Sequence, residues 1–117
     1  MPRPRKWKKI CCLPERNLFG PLDREGMNNK IIQLVIEEYE TLRLIDLENL
    51  TQEECAKRMN IGRTTVQKLY NEARFKLSDS LINGYILKIE GGDYILYDDR
   101  DEANCHGCHR IRCGRNL

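Results

Sequence analysis

The chain has 117 residues, 20 Lys and Arg against 18 Asp and Glu, a formal net charge of +2 and 40% hydrophobic residues. That length sets the expectation of one domain with a modest core, and no apolar run approaches the roughly 18 residues of a membrane span. The basic start lacks a following apolar stretch, which argues against a secretory signal and for a cytoplasmic address. The six cysteines are then read as reduced thiols or metal ligands rather than as a disulfide framework.

The charge is unevenly distributed. Residues 1–9 carry Arg3, Arg5, Lys6, Lys8 and Lys9 and no acid. Residues 37–54 hold Glu37, Glu38, Glu40, Asp46, Glu48, Glu53 and Glu54 against Arg43. Basic residues return with Lys57, Arg58, Arg63, Lys68, Arg74 and Lys76, and an acidic run from Asp98 to Glu102 precedes Arg110, Arg112 and Arg115. This alternation predicts one side facing a polyanion and one solvated acidic side.

In chain order, residues 1–30 read as a basic arm, a short strand and a loop punctuated by Pro14, Gly20, Pro21 and Gly26. The opening MPRPRKW is similar to arms that lie along the minor groove, whose narrow width concentrates negative potential. Arg3, Arg5 and Lys6 are its candidate DNA contacts; the alternative is a solubilising tail. Trp7 is expected to pack against the body.

Residues 31–84 read as a helical block. Tyr39, Leu42 and Ile45 recur at helical spacing, and Asn49 stands where a left-handed C-terminal cap belongs. Thr51-Gln52-Glu53-Glu54 forms a capping box, and Leu50 and Cys55 have the spacing of a hydrophobic staple, which makes Cys55 a core residue. Asn60-Ile61-Gly62 ends this short helix. A third helix starts near Arg63, with Val66, Leu69, Ala73 and Leu77 as its buried stripe, and Asn83-Gly84 stops it.

A short capped helix, a tight turn with Gly and a longer basic helix make a helix-turn-helix plan, in which the N-terminal part of the second helix reaches base edges. The outward positions are Arg63, Thr64, Thr65, Gln67, Lys68 and Asn71, on a recognition helix of about residues 63–82. Arg and Lys suit guanine, Gln and Asn suit adenine, and Thr suits either a base or the thymine methyl. The alternative is a helical hairpin that only makes protein contacts.

Residues 85–97 read as a wing-like β-hairpin turning at Gly91-Gly92, with Ile89 opposite Tyr94 and Leu87 opposite Leu96. A hairpin alone is marginal, so residues 8–13 are expected to add a third strand. Residues 98–117 form an acidic linker and a cysteine-rich tail. There Cys105, Cys108 and Cys113 give C-x2-C-x4-C, a soft-ligand cluster that predicts zinc or an iron–sulfur cluster. A fourth ligand is needed: Cys11, with Cys12 and His109 as alternatives. Strand alternation argues against both Cys11 and Cys12 ligating.

The stretch LRLIDLENLTQEECAKRMNIGRTTVQKLYNEARFKLSDSL resembles the region-4 helix-turn-helix of bacterial sigma factors. Together with MPRPRKWKKICCLPE, FGPLD, EEYETLRLIDLE and IEGGDY, it resembles the uncharacterised protein family UPF0251 (DUF134), predicted DNA-binding proteins. The resemblance covers nearly the whole chain and implies a DNA-binding role. One departure is Gly62, where sigma-type modules commonly place Ser; Gly still caps acceptably.

The expected fold is therefore mainly α: a helix-turn-helix, a small hairpin or three-stranded sheet involving the N-terminal segment, and a cysteine-rich tail. The expected function is sequence-specific DNA binding in transcription regulation, a metal or redox response being open to it, with double-stranded DNA and a second copy as partners. A sigma-like module contacting RNA polymerase is the alternative. No convergent acid–base set, phosphate loop or nucleophile–base pair is present, so no enzyme is expected.

Overall fold

The computed structural model describes residues 7–23 and 30–96, which form three helices and a small mixed set of strands. Lys8–Ile10 (β1) pairs in parallel with Tyr94–Leu96 (β5), Lys8 opposite Tyr94 and Ile10 opposite Leu96. Leu18–Phe19 (β2), Ile31–Leu34 (β3) and Ile86–Ile89 (β4) make a second sheet with β4 in the middle, antiparallel to β2 and parallel to β3. The two-residue period of a strand puts Ile32, Leu34, Leu87 and Ile89 on one face. Leu34, Leu87 and Ile89 are buried there.

The expected hairpin is not formed: β4 and β5 belong to different sheets. Both edges of β4 are already taken, by β2 and β3, so none remains for β5. Gly91 and Gly92 do adopt positive φ, 83° and 109°, but the turn they make wraps the start of the first helix instead of closing on itself. Glu90 N donates to Leu34 O at 3.0 Å and Ile36 N to Gly91 O at 3.0 Å. A Cβ on Gly92 would collide with the Glu37 carboxylate, so a glycine is required at this crossing. The expectation of a third strand from the N-terminal segment holds in part, since β1 joins β5.

The helical block also starts later than expected, because residues 31–34 are a strand. Ile31-Ile32 is a short apolar run that periodicity cannot assign; its long-range partner β4 decides it. The first helix, Ile36–Thr41 (α1), runs directly into a π-helical turn, Leu42–Leu47. The five-residue step shows in Glu48 N donating to Arg43 O at 2.9 Å. Val35 has no side-chain acceptor, so Glu38 alone closes the start of α1, its Oε1 accepting from Val35 N at 3.0 Å.

Gln52–Met59 (α2) begins with the expected box: Thr51 Oγ1 accepts from Glu54 N at 3.1 Å and Glu54 Oε1 from Thr51 N at 2.9 Å. It ends at Asn60, left-handed with φ 59°, and Asn49 before it has φ 64°. Arg63–Asn83 (α3) follows extended Gly62 and stops at left-handed Gly84. Ile10, Leu34, Leu44, Cys55, Met59 and Val66 anchor one core between the sheets and the helices. None of the helices described is long and apolar enough to cross a membrane.

Two expectations about faces change. Glu37, Glu38 and Glu40 are buried, not solvated. Glu38 and Glu40 are tolerated because each is paired, the condition for burying a charge, whereas Glu37 is held through Oε2 alone and its buried Oε1 has no hydrogen-bond partner among the described residues. Arg43 Nε and Nη2 fork onto Glu40 at 3.0 and 2.8 Å, and Glu40 Oε2 also accepts from Cys11 N at 3.2 Å. Arg43 Nη1 reaches Glu48 at 3.2 Å. Lys76 meets Glu38 at 2.8 Å, and Glu37 accepts from Asp93 N at 3.2 Å beside Lys8. On α3, Val66 and Ala73 are buried as expected, but Leu77 is 42% exposed. The sheet, the π-helical turn and α3 leave an open groove at that point.

Candidate functional site

The unit made by α2, the turn at residues 60–62 and α3 is held from below. Ile61 N donates to Ala56 O at 3.0 Å and Val66 N to Gly62 O at 3.1 Å, so the turn is closed by backbone bonds at both ends. Cys55, Met59, Ile61 and Val66 are buried in the shared core. Cys55 Sγ donates to Met59 Sδ at 3.7 Å. Burial is the main reason its thiol is pushed up to about 12, with the Glu40 charge adding to it. Cys55 is therefore a neutral packing residue, the role expected from its staple position.

What the unit presents outward is polar. Arg63, Thr64, Thr65, Gln67, Lys68 and Asn71 are all exposed, while Val66 between them is fully buried. At 3.6 residues per turn, Thr64, Lys68 and Asn71 lie along the side of α3 opposite Val66, with Gln67 beside them and Arg63 and Thr65 on the flanks. The first acid on the helix is Glu72, also exposed. All six residues singled out on this helix thus share one accessible surface.

The sequence did not reveal the neighbours of Arg63 across the turn. Arg63 lines a polar recess of about 230 Å³ with Thr51, Gln52 and Glu53, so the starts of α2 and α3 open onto the same spot. Free backbone N–H groups at a helix start attract anions. The Glu54 carboxylate is occupied in the capping box, whereas Glu53 is exposed. One turn below this surface, the Tyr70 hydroxyl donates to Asp46 Oδ1 at 2.7 Å and accepts from Arg74 at 3.1 Å, tying α3 to the π-helical turn. The bond to Asp46 is the chief reason the Tyr70 phenol is held above its ordinary pKa.

Arg3, Arg5 and Lys6 lie outside the described residues, as do Cys105, Cys108, His109 and Cys113. Trp7 is half exposed. Cys11 and Cys12 are both buried at the end of β1, where the strand alternation that would have separated them has ended. Among the described residues no group of three or more His, Cys, Asp or Glu gathers to hold a metal ion.

A model of the family described as protein of unknown function DUF134 matches residues 1–97. The UPF0251 protein of Desulfitobacterium hafniense strain Y51 is 56% identical over 112 residues, covering 96% of this chain and 90% of that one. Its counterpart in Caldicellulosiruptor bescii is 42% identical over 129 residues, covering 94% and 90%. That of Halothermothrix orenii is 43% identical over 108 residues, covering 92% and 78%. No solved structure matches the chain.

Proposed function

The chain belongs to the family described as protein of unknown function DUF134, and from the surface its α2–α3 unit presents we propose that it is a sequence-specific double-stranded DNA-binding protein acting in transcription regulation. In this reading α2 and α3 are a helix-turn-helix, with α3 entering the major groove by its N-terminal half. The observation that carries the reading is the run of six exposed polar side chains, Arg63, Thr64, Thr65, Gln67, Lys68 and Asn71, on a helix start fixed by a closed turn. They offer what base edges require: cationic donors for guanine, amides for adenine, and hydroxyl-methyl groups for a base or the thymine methyl. The recess beside Arg63 lies where the starts of α2 and α3 meet, with Glu53 on its lining, and helix starts favour a backbone phosphate. Catalysis has no part in this reading.

Selection of bound duplex from a random pool, followed by titration of the selected site at several salt concentrations, tests it. The expected result is one recovered sequence motif and a log–log salt slope of several units. Lys68→Ala and Arg63→Ala should each weaken binding by about 10-fold or more, and the slope should fall by about one wherever the side chain removed had held a phosphate. Recovery of no motif, with binding indifferent to both substitutions, sinks the proposal.

A further inference from the structure

The C-terminal half of α3 poses a different problem. Leu81 is 78% and Ile82 77% exposed, and Phe75 and Leu77 are exposed as well. Between Lys76 and Asn83 the helix carries a single charge, Asp79, whose carboxylate is engaged by the Asn83 side-chain amide at 2.7 Å. Phe75 and Ile82 are seven residues apart and so lie on one line of the helix. Small Ser78 sits between them, and Leu81 turns toward the other side. Four of the eight residues from Phe75 to Ile82 are large, apolar and exposed, a concentration that marks a contact surface rather than an ordinary solvated face. Among the described residues, those that pack on this half of α3 bury Ala73 and Ser80 and partly cover Lys76.

Beside this ridge lies a groove of about 1050 Å³. Phe19 from β2, Leu87 from β4, Leu42 and Leu47 from the π-helical turn, and Leu77 and Leu81 from α3 form its apolar walls. Phe19 and Leu47 are themselves half or more exposed. Phe19, Leu47, Phe75, Leu77, Leu81 and Ile82, each at least 42% exposed, together present roughly several hundred Å² of apolar side chain, toward the upper end of what a soluble monomer leaves contiguous. Pairing this surface with an equal one approaches the roughly 800 Å² per partner of a standard interface.

We infer that this surface is covered by a second copy of the chain, related by a two-fold axis at the C-terminal half of α3. Isologous pairing requires one surface to carry both the projection and the depression that receives it. Phe75, with Leu81 and Ile82 at the groove's rim, forms the projection, and the walls from Phe19 to Leu77 form the depression. A small apolar ligand would fill the groove but leave Phe75, which does not line it, in water. A second copy covers groove and ridge in one step. The contact leaves Arg63–Asn71 of both copies free, so it stands whether or not that surface reads DNA.

Sedimentation equilibrium of the full chain from about 1 to about 200 µM tests it. The expected mass is twice 13.8 kDa at the upper end, with dissociation on dilution. Leu81→Glu and Ile82→Lys should each raise the dimer dissociation constant by about 100-fold or more, because they place a charge in a desolvated contact. Both side chains are three-quarters exposed in the single copy, so far-UV circular dichroism should be unchanged, which separates failed pairing from failed folding. Arg63→Ala should pair as the parent does. A parent chain that stays monomeric over the whole range overturns the inference, whatever then fills the groove. So does a parent dimer that survives both Leu81→Glu and Ile82→Lys.

Discussion

The two halves of α3 share one helix and differ in almost every property that decides what a surface can bind. From Arg63 to Asn71 the exposed positions are polar or cationic and the buried one is Val66. From Phe75 to Ile82 most of the exposed positions are apolar. The first half rests on α2 and the core; the second overhangs a groove. A helix of 21 residues spans roughly 31 Å, long enough to give its two ends separate partners. The difference teaches that exposure alone says little: the chemistry of what is exposed, and what supports it, separates a surface for a polyanion from a surface for a protein.

Substitutions can break this contrast. Arg43→Ala should have the largest effect, since Arg43 lines the groove and also holds buried Glu40 and Glu48. Removing one partner of a buried pair typically costs about 3–5 kcal/mol, so urea unfolding should show both halves lost together. Met59→Ala, under the first half and fully buried, should cost about 2–5 kcal/mol by leaving a cavity. Leu81→Ala, on the second half, should change monomer stability by no more than about 0.5 kcal/mol when measured at dilution. Equal costs for Met59→Ala and Leu81→Ala would erase the distinction drawn between supported and overhanging halves.

The alkaline limb sharpens it further. Cys55 lies under the first half, its thiol raised from 9.0 to about 12. The folded state therefore keeps a proton that the unfolded state releases first. The stability this contributes is complete below pH 9.0 and is lost as pH rises from there toward about 12. Denaturant midpoints measured across that window should fall for the parent and fall less steeply for Cys55→Ala. Identical slopes would mean that Cys55 is not sealed in the core.

Local physics made much of this readable in advance. The Thr51 box, the left-handed Asn49, the end of α2 at Asn60 and the stop at Gly84 each depend on residues within a few positions, and each stands where the pattern put it. The exposed polar face from Arg63 to Asn71 followed from helical period alone. What escaped depends on partners far along the chain. Ile31–Leu34 is a strand because β4 pairs with it, and Gly91-Gly92 fails to close a hairpin because β4 has no free edge. Glu37 and Glu38 look like a solvated acidic face until Lys8 and Lys76 arrive from elsewhere in the fold, and Glu40, whose partner Arg43 is only three residues on, is buried where Cys11 N of the distant first strand's end meets it. Leu77 fits the buried stripe by spacing; it is exposed because the fold leaves the groove beside it open.

The central claim is that the first half of α3 reads duplex DNA, and the Lys68→Ala titration meets it most directly. On a duplex selected by the parent chain, Lys68→Ala should bind about 10-fold or more weakly, with a salt slope lower by about one if Lys68 holds a phosphate, while Leu81→Ala at the other end leaves the fold and the polar face intact. Affinity and slope unchanged by Lys68→Ala, in a chain that folds as the parent does, would contradict the account.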